Sequence, residues 1–593
     1  MKTRDQIGQA DQWRLTDIFE NDAAWEQAFA SAQQQVNTLS QYAGTLGDSS
    51  DALYTALTAE SAVSLKLETL YAYAHLHKDE NNGNARYQGM TDRAMQLYVA
   101  AGAASAYVVP EILTIPSEKL DVWAKEDRFT PFRFMLSDIV RSRPHTLDTE
   151  GERLMALAEE PLSGPDNIFT MLSDVDLSFG TVTDAEGVAQ ELTHGSYGLF
   201  LESRDRRVRR DAYLGMYGAY RKFGNTVAAT YTASVKGDVF RARAHHYDGA
   251  LEAALFAGNV PVSVYDQLIE AVHQKLPALQ KYLDLRRRQL GIDQLEMYDL
   301  YVPIVPDCET KLNYEQAKAL VKEALRPLGE AYGKLLDNAF SDGWIDVYET
   351  AGKTSGAFSS GVYGVHPFVL LNHQGRMDDA FTLAHELGHA LHSYHSDAAQ
   401  PYETSQYSIM VAEVASTVNE TLLTKHLLKT EQDPAKRAYY LNHFLEQFRT
   451  TCYRQTMFAE FERKAHQMAE SGEPLTVESL SEMYRKLNEL YYAGVVVDDN
   501  IASEWMRIPH FYNAFYVYQY ATGLCTAVKL AEDILENGAV ERYMTFLSSG
   551  GSQYPIEILQ NAGVDLTNPD SILSALDVFD RSVDELSRLL QKN

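Results

Sequence analysis

The sequence predicts a mainly α-helical protein carrying one small β-sheet. Apolar residues recur every three to four positions along most of the 593 residues, the rhythm of helices with one buried face. Only "GAFSSGVYGVHPFVLLNHQGRMDD", residues 356–379, departs from it, with clustered glycines and a short apolar run closed by a turn signal. Length sets the scale: a single hydrophobic core stops growing near ~250–300 residues, so two or three lobes are expected.

Taken in order, "DAAWEQAFASAQQQVNTLSQYAG" begins at Asp22 with 3.6-residue apolar spacing and meets a stop signal at Gly44. "SAVSLKLETLYAYAHLHKDE" and "ARYQGMTDRAMQLYVAAGAASAYVV" continue the pattern to Val109. The basic cluster "ESRDRRVRRDAYLGMY" opens a new helical block, read as a solvated helix face laced with ion pairs. It places a boundary near residue 200, between an N-terminal helical domain, 1–200, and a second domain, 201–593. "YEQAKALVKEALRPLGEAYGKLLDNAF" and "VESLSEMYRKLNELYYAG" add amphipathic helices. In the exceptional region, Phe368 to Leu371 reads as a short strand after a glycine-rich loop. Pro367 has no N–H for a ladder, so this strand is expected at a sheet edge.

Composition narrows the function. Apolar content of 45% and charged content of 23% are those of a globular protein. A formal net charge of −30 argues against nucleic acid, whose phosphates need clustered Lys and Arg. Cys308, Cys452 and Cys525 are odd in number and far apart along the chain, so neither a disulfide framework nor a thiolate metal site is expected. The longest apolar candidate for a membrane span, "LYVAAGAASAYVVP", is short and ends in Pro110. The first residues lack the apolar core of a signal peptide. A reducing cytoplasm is the expected setting, with no membrane and no nucleic-acid partner.

"TLAHELGHALHSYH", Thr382 to His395, contains His385-Glu386-Leu387-Gly388-His389, an HExxH pattern. On a helix, residues i and i+4 share a face, so both imidazoles can reach one ion. Glu386 falls beside that ion, where a carboxylate can hold and deprotonate a water. Two imidazoles and a carboxylate suit zinc, with the fourth position left to water. Two residues compete as third ligand. His395 falls on the last position of H-E-x-x-H-x-x-G-x-x-H, but His392 stands where that pattern needs the helix-breaking Gly. Glu413, in the apolar helix "SIMVAEVASTVNETLL", is a carboxylate in a stretch that otherwise reads as buried, and such a group needs a partner or a metal. Glu420, two turns on, is either an ordinary helix Glu or the group that orients a ligand imidazole.

"HELGHALHS" followed by "VAEVAST" resembles the thimet-oligopeptidase superfamily, and within it the oligoendopeptidase F family. "LSFGTVTDAEGVAQELTHGSYGLFLESRDRRVRRDAY", "LEMYDLYVPIV", "SSGVYGVHPFVLLNHQG" and "IPHFYNAFYVYQYATG" carry the match across roughly residues 175 to 525, and "WRLTDIFENDAAWEQAF" resembles the family's start. The resemblance implies a two-lobed helical ellipsoid with a deep channel, of which residues 1–200 form one wall, and one zinc ion per chain. It implies His385, His389 and Glu413 as zinc ligands, Glu386 as catalytic base, and short peptides as substrates cleaved internally. The number of chains in the active assembly is left open.

"HFYNAFYVYQYATG" puts Tyr512, Tyr516, Tyr518 and Tyr520 within ten residues of His510. Peptide hydrolysis needs donors aimed at the developing oxyanion, and in the resembling family a His and one or two Tyr of this region supply them. His510 with Tyr516 or Tyr518 is the expected set, with Tyr512 read as substrate-contacting. A peptide is expected to pair with the strand Val365 to Leu371, with Gly361 and Gly364 allowing close backbone approach and Tyr363 and His366 alongside. The alternative from another class is a non-catalytic peptide-binding protein with a structural zinc site. Glu386 argues against it, since a structural site needs no base.

Overall fold

A computed structural model describes residues 2–305 and 311–591; Cys308 lies outside the described residues. The chain forms two compact units, each assembled from three stretches: Met1–Pro144, Glu309–His426 and Leu530–Gly563 in the first, and His145–Cys308, Leu427–Lys529 and Val564–Asn593 in the second. Residue 200 falls inside the helix His194–Leu201 of the second unit.

In the first unit, three long helices, Asp22–Leu39, Ser50–Glu80 and Ala85–Ser105, share one core. Asn21 and Ser49 cap the first two by accepting the N–H groups of Ala24 and Ala52. The first helix ends before Gly44 through a tight turn, Ser40–Tyr42, and Gly44 takes the left-handed conformation that a side chain resists. Trp25, Leu67, Leu70, Met90 and Leu97 are buried together, and Phe368 and Leu370 of the sheet insert into the same cluster. Each such aliphatic or aromatic side chain contributes ~1.5–3 kcal/mol on burial. The sheet is thereby pinned to the helices, not left on a loop.

The apolar stretch ending at Pro110 is longer than the sequence suggested. It belongs to a helical run, Ala85–Thr114, of 30 residues, long and apolar enough to cross a membrane by length and composition. The expectation that no segment meets that test is corrected; the run packs one side, through Met90, Ala94 and Leu97, into the core just described. The segment from Tyr314 is two helices, Tyr314–Ala324 and Glu330–Ser341, because Pro327 and the positive φ of Gly329 break the run.

Among the described residues there are three small sheets, not one; the sheet that contains Phe368 has three strands in the order Ile345–Asp346, Phe368–Leu370, Phe358–Ser360. The strand predicted from Phe368 forms, but it is central, not at an edge. Val369 and Leu371 donate their N–H groups to Trp344 and Asp346 on one side, and Phe368 and Leu370 pair with Ser360 and Phe358 on the other. Pro367 precedes the strand and so costs the ladder nothing. The two edge strands are Ile345–Asp346 and Phe358–Ser360, the latter inside the segment read as loop.

The second unit is built largely of helices, among them Arg206–Lys222, Gly224–Ala244, Arg454–Ser471 and Val477–Tyr491. The basic cluster is partly internal: Arg206 and Arg209 both bind Asp299, and Arg209 is buried. A short helical stretch, Ile501–Arg507, carries the buried Glu504, which accepts hydrogen bonds from Arg454 (2.7 Å), Tyr484 (2.6 Å) and Tyr217 (3.0 Å). Burial pushes this carboxyl up, but Arg454 and Arg507 outweigh it and hold it at about 2. Its stabilisation is therefore present above the ordinary carboxylate range and lost as pH falls toward 2. Glu504→Gln leaves two guanidiniums without their anion and should cost ~3–5 kcal/mol, read as a lowered melting temperature at neutral pH.

Candidate active site

HExxH lies on the helix Met377–Ala399. Asp379 caps its start by accepting the backbone N–H groups of Arg376 (2.7 Å) and Gln374 (3.1 Å). The chain turns through residues 400–408 and returns along the helix Ile409–Thr430. On that helix Val411, Val414, Ala415 and Val418 face inward, while Glu413 points outward with its side chain half exposed. The expectation of a buried Glu413 is corrected: its neighbours are buried, and it occupies the opposite face with Glu420, seven residues on.

Three donor atoms converge. His385 Nε2 lies 3.2 Å from His389 Nε2 and 3.5 Å from Glu413 Oε2, and His389 Nε2 lies 3.6 Å from the same oxygen. A tetrahedral zinc with bonds near 2.0–2.1 Å sets its ligand atoms about 3.3 Å apart. The donor chemistry and the triangle both fit that ion. Among the described residues, His385, His389 and Glu413 are the group able to hold a metal. Behind them, Glu420 Oε1 meets His385 Nδ1 at 2.5 Å, fixing the imidazole with Nε2 toward the triangle. The reading of Glu420 as an ordinary exposed Glu does not hold.

The electrostatics follow from these partners. The His389 imidazole beside it, more than the partial burial of the group, sets the Glu413 carboxyl, which is held down at about 2. Burial pushes the His385 imidazole down, and Glu420 more than reverses it. Glu386 is 7% exposed, and burial raises its carboxyl, opposed by the two histidines. That is the setting of a carboxylate able to accept a proton and give it up again.

His395 is not part of the triangle. The helix runs unbroken past it to Ala399, and six residues beyond His389 is about 240° around the axis. His395 lies over the Tyr332 ring, and His392 stacks on Tyr407 at 3.7 Å, burial holding it down at about 3.

Two residues of this arrangement escaped the sequence reading. Gly388 faces the return helix so closely that a Cβ there would stand 2.5 Å from Ser416 Cα and 2.7 Å from Ala415 O. Asn419, fully buried, donates to Ala384 O at 3.0 Å and ties the two helices together. A lone Gly inside a strongly helical run was the available signal for the first. Gly388→Ala should force the helices apart at a backbone contact that cannot yield. We expect about 1–3 kcal/mol of destabilisation, with Glu413 withdrawn and metal retention reduced, checked by melting temperature and metal content.

The residues expected to meet a peptide are differently placed. Gly361 directly follows the edge strand Phe358–Ser360 and abuts Ser393 of the HExxH helix; Gly364 has φ +82° and open space around it. Tyr363 donates to Gln400 O at 3.0 Å. Both ring nitrogens of His366 are engaged, with Pro367 O and with Asp17, and its ring stacks on Trp344.

In the second unit, His510, Tyr516 and Tyr520 form one cluster. The His510 ring lies 6.3 Å from Tyr516 and 5.9 Å from Tyr520, whose OH is 3.5 Å from His510 Nε2. Burial lowers the His510 imidazole and favours its neutral form. Tyr518, expected with them, is 4% exposed and packs on Tyr265 instead. The helix Tyr518–Asn537 begins there, so Tyr518 and Tyr520 diverge by about 200°. The Tyr512 hydroxyl is engaged with Thr230 at 2.8 Å.

Comparison with known proteins places the chain in a family. The profile of Peptidase family M3 matches residues 199–578, and that of Oligopeptidase F residues 111–179. The chain is 45% identical to the oligopeptidase PepF of Bacillus subtilis, over 99% of this chain and 88% of that one. It is 39% identical to the group B oligopeptidase PepB of Streptococcus agalactiae, over 99% and 98% of the two chains. The crystal structure of oligoendopeptidase-F from Enterococcus faecium superposes with a TM-score of 0.74 at 36% identity, covering 96% of this chain and all of that one. The chain belongs to peptidase family M3, with the oligoendopeptidases F, and is a metalloendopeptidase.

Proposed function

We propose that the protein is a zinc-dependent oligoendopeptidase that hydrolyses short peptides in the cytoplasm. The observation that carries this is the His385–His389–Glu413 triangle with Glu386 next to His385 on the same helix. One zinc ion held there would polarise the scissile carbonyl and make water a nucleophile at neutral pH. Glu386 takes the proton of the attacking water and passes it to the leaving amine. Glu420 keeps His385 in the tautomer and orientation that the triangle needs. Two buried free thiols, Cys452 and Cys525, suit a reducing compartment.

A peptide adds as a further strand on Phe358–Ser360, an edge strand of the sheet, and not on Phe368–Leu370, whose two sides are taken. Gly361, Tyr363 and Gly364 continue from that edge, and His366 serves the fold. Pairing through backbone groups leaves side-chain preference broad. A ladder of peptides of rising length, set beside a folded protein and read by mass spectrometry, tests the substrate class. Internal cleavage of the short peptides and none of the folded protein is expected; equal attack on both would refute the oligopeptide reading.

The oxyanion donors we assign to His510 with Tyr516 and Tyr520. His510→Ala and at least one of Tyr516→Phe and Tyr520→Phe should lower turnover ~10–10³-fold with zinc content and melting temperature nearly unchanged. Tyr518→Phe should leave turnover within about twofold, since that ring only packs. Turnover intact in all of the first three would remove the assignment.

A further inference from the structure

The second unit encloses a cavity of about 20 Å³, enough for one or two particles the size of water. Its wall contains three guanidiniums, Arg449, Arg454 and Arg507, and one carboxylate, Glu504. Arg454 donates to Glu504 at 2.7 Å, and Arg507 Nη2 stands 3.6 Å from the same oxygen, so one anion serves two cations. Two carboxylates behind the wall are already committed. Glu446 binds Arg449 (2.6 Å) and Arg286 (2.9 Å), and Asp498 accepts from Tyr213.

Two residues that line this cavity each carry a buried donor with no acceptor among the described residues: Arg449 through Nη1 and Tyr492 through its hydroxyl. Their side chains are 1% and 2% exposed. Arg454 and Arg449 both act electrostatically on the Tyr492 phenol, so the three groups are neighbours. One unpaired acceptor, Asn488 Oδ1, also lines the wall. A water could meet it, but a neutral molecule would leave the surplus positive charge buried and uncompensated, which is the costlier deficit.

We infer that this cavity is a binding site for one small monovalent anion of the size of chloride, held by Arg449, Arg454, Arg507 and the hydroxyl of Tyr492. The cation excess supplies affinity, the two orphan donors supply direction, and the volume admits one monatomic halide, chloride or bromide, but no polyatomic anion. The ion would brace Ile501–Arg507, which carries both Glu504 and Arg507. The site stands whether or not His510 acts in catalysis.

Bromide is the probe. Crystals of the full chain grown in sodium bromide should show an anomalous peak in the cavity. The melting temperature should rise saturably with bromide at constant ionic strength made up with gluconate. Tyr492→Phe, which removes only the orphan hydroxyl, should fold and raise the half-saturating bromide concentration about tenfold, the worth of a hydrogen bond to a charge. A wild-type cavity without a bromide peak would overturn the inference, as would melting temperatures that do not separate bromide from gluconate. A Tyr492→Phe protein with unchanged bromide response would overturn the placement of the ion.

Discussion

Replacing Glu386 by Gln is expected to remove peptide hydrolysis almost completely while the protein keeps its metal and its fold. The amide preserves the shape of the side chain, and His385, His389 and Glu413 are untouched, so the triangle of donors at 3.2–3.6 Å persists. What disappears is the group that accepts the water's proton. General-base catalysis is worth ~10²–10⁴ in rate, and the same carboxyl also delivers the proton to the amine, so the loss should fall at the upper end. It should appear in kcat, with KM little changed, because Glu386 contributes to the transition state more than to binding. The neutral amide should also be tolerated at a site 7% exposed, where burial already disfavours the charged form. Metal analysis beside steady-state kinetics decides it: near-parental kcat with stoichiometric metal would show that another group is the base.

The second large effect separates two ligand sets. Glu413→Ala removes one corner of the triangle and should abolish metal retention and turnover together, while His395→Ala should retain both. The motivation is geometric: the helix continues to Ala399, and His395 is turned away against Tyr332. Glu420→Gln should fall between them, weakening metal affinity ~10–100-fold, because it only orients His385. Metal content after dialysis, measured on all three variants, gives the order. Loss of metal from His395→Ala with retention in Glu413→Ala would invert the assignment.

The geometry of the candidate site was legible in the sequence where it is local. The i, i+4 spacing of His385 and His389 is a property of one helix, and so is the shared face of Glu413 and Glu420. Burial of Glu413 is not legible in the same way, because its apolar neighbours bury one face of the helix and not the whole segment. The strand at Phe368 was legible from its apolar run, but its neighbours were not. Strand order is a tertiary fact, and the edge strand Phe358–Ser360 is three residues hidden among Gly and Ser. The same limit explains the tyrosines. Choosing Tyr520 over Tyr518 required knowing that a helix begins at Tyr518, which sets the phase of every ring beyond it. Gly388 was visible as a letter, but the return helix it accommodates becomes apparent only when both helices are packed.

The central claim, that peptide hydrolysis depends on one zinc ion held by His385, His389 and Glu413, is tested most directly by reversible metal removal. The purified chain is assayed for zinc and for cleavage of one short peptide, stripped with a chelator, dialysed, and reassayed as zinc is added back. The account predicts about one zinc per chain at the start, no cleavage after stripping, and recovery that reaches its plateau at one equivalent. Cleavage that persists in the metal-free protein, or a plateau that the Glu413→Ala protein reaches at the same zinc equivalence, would contradict it.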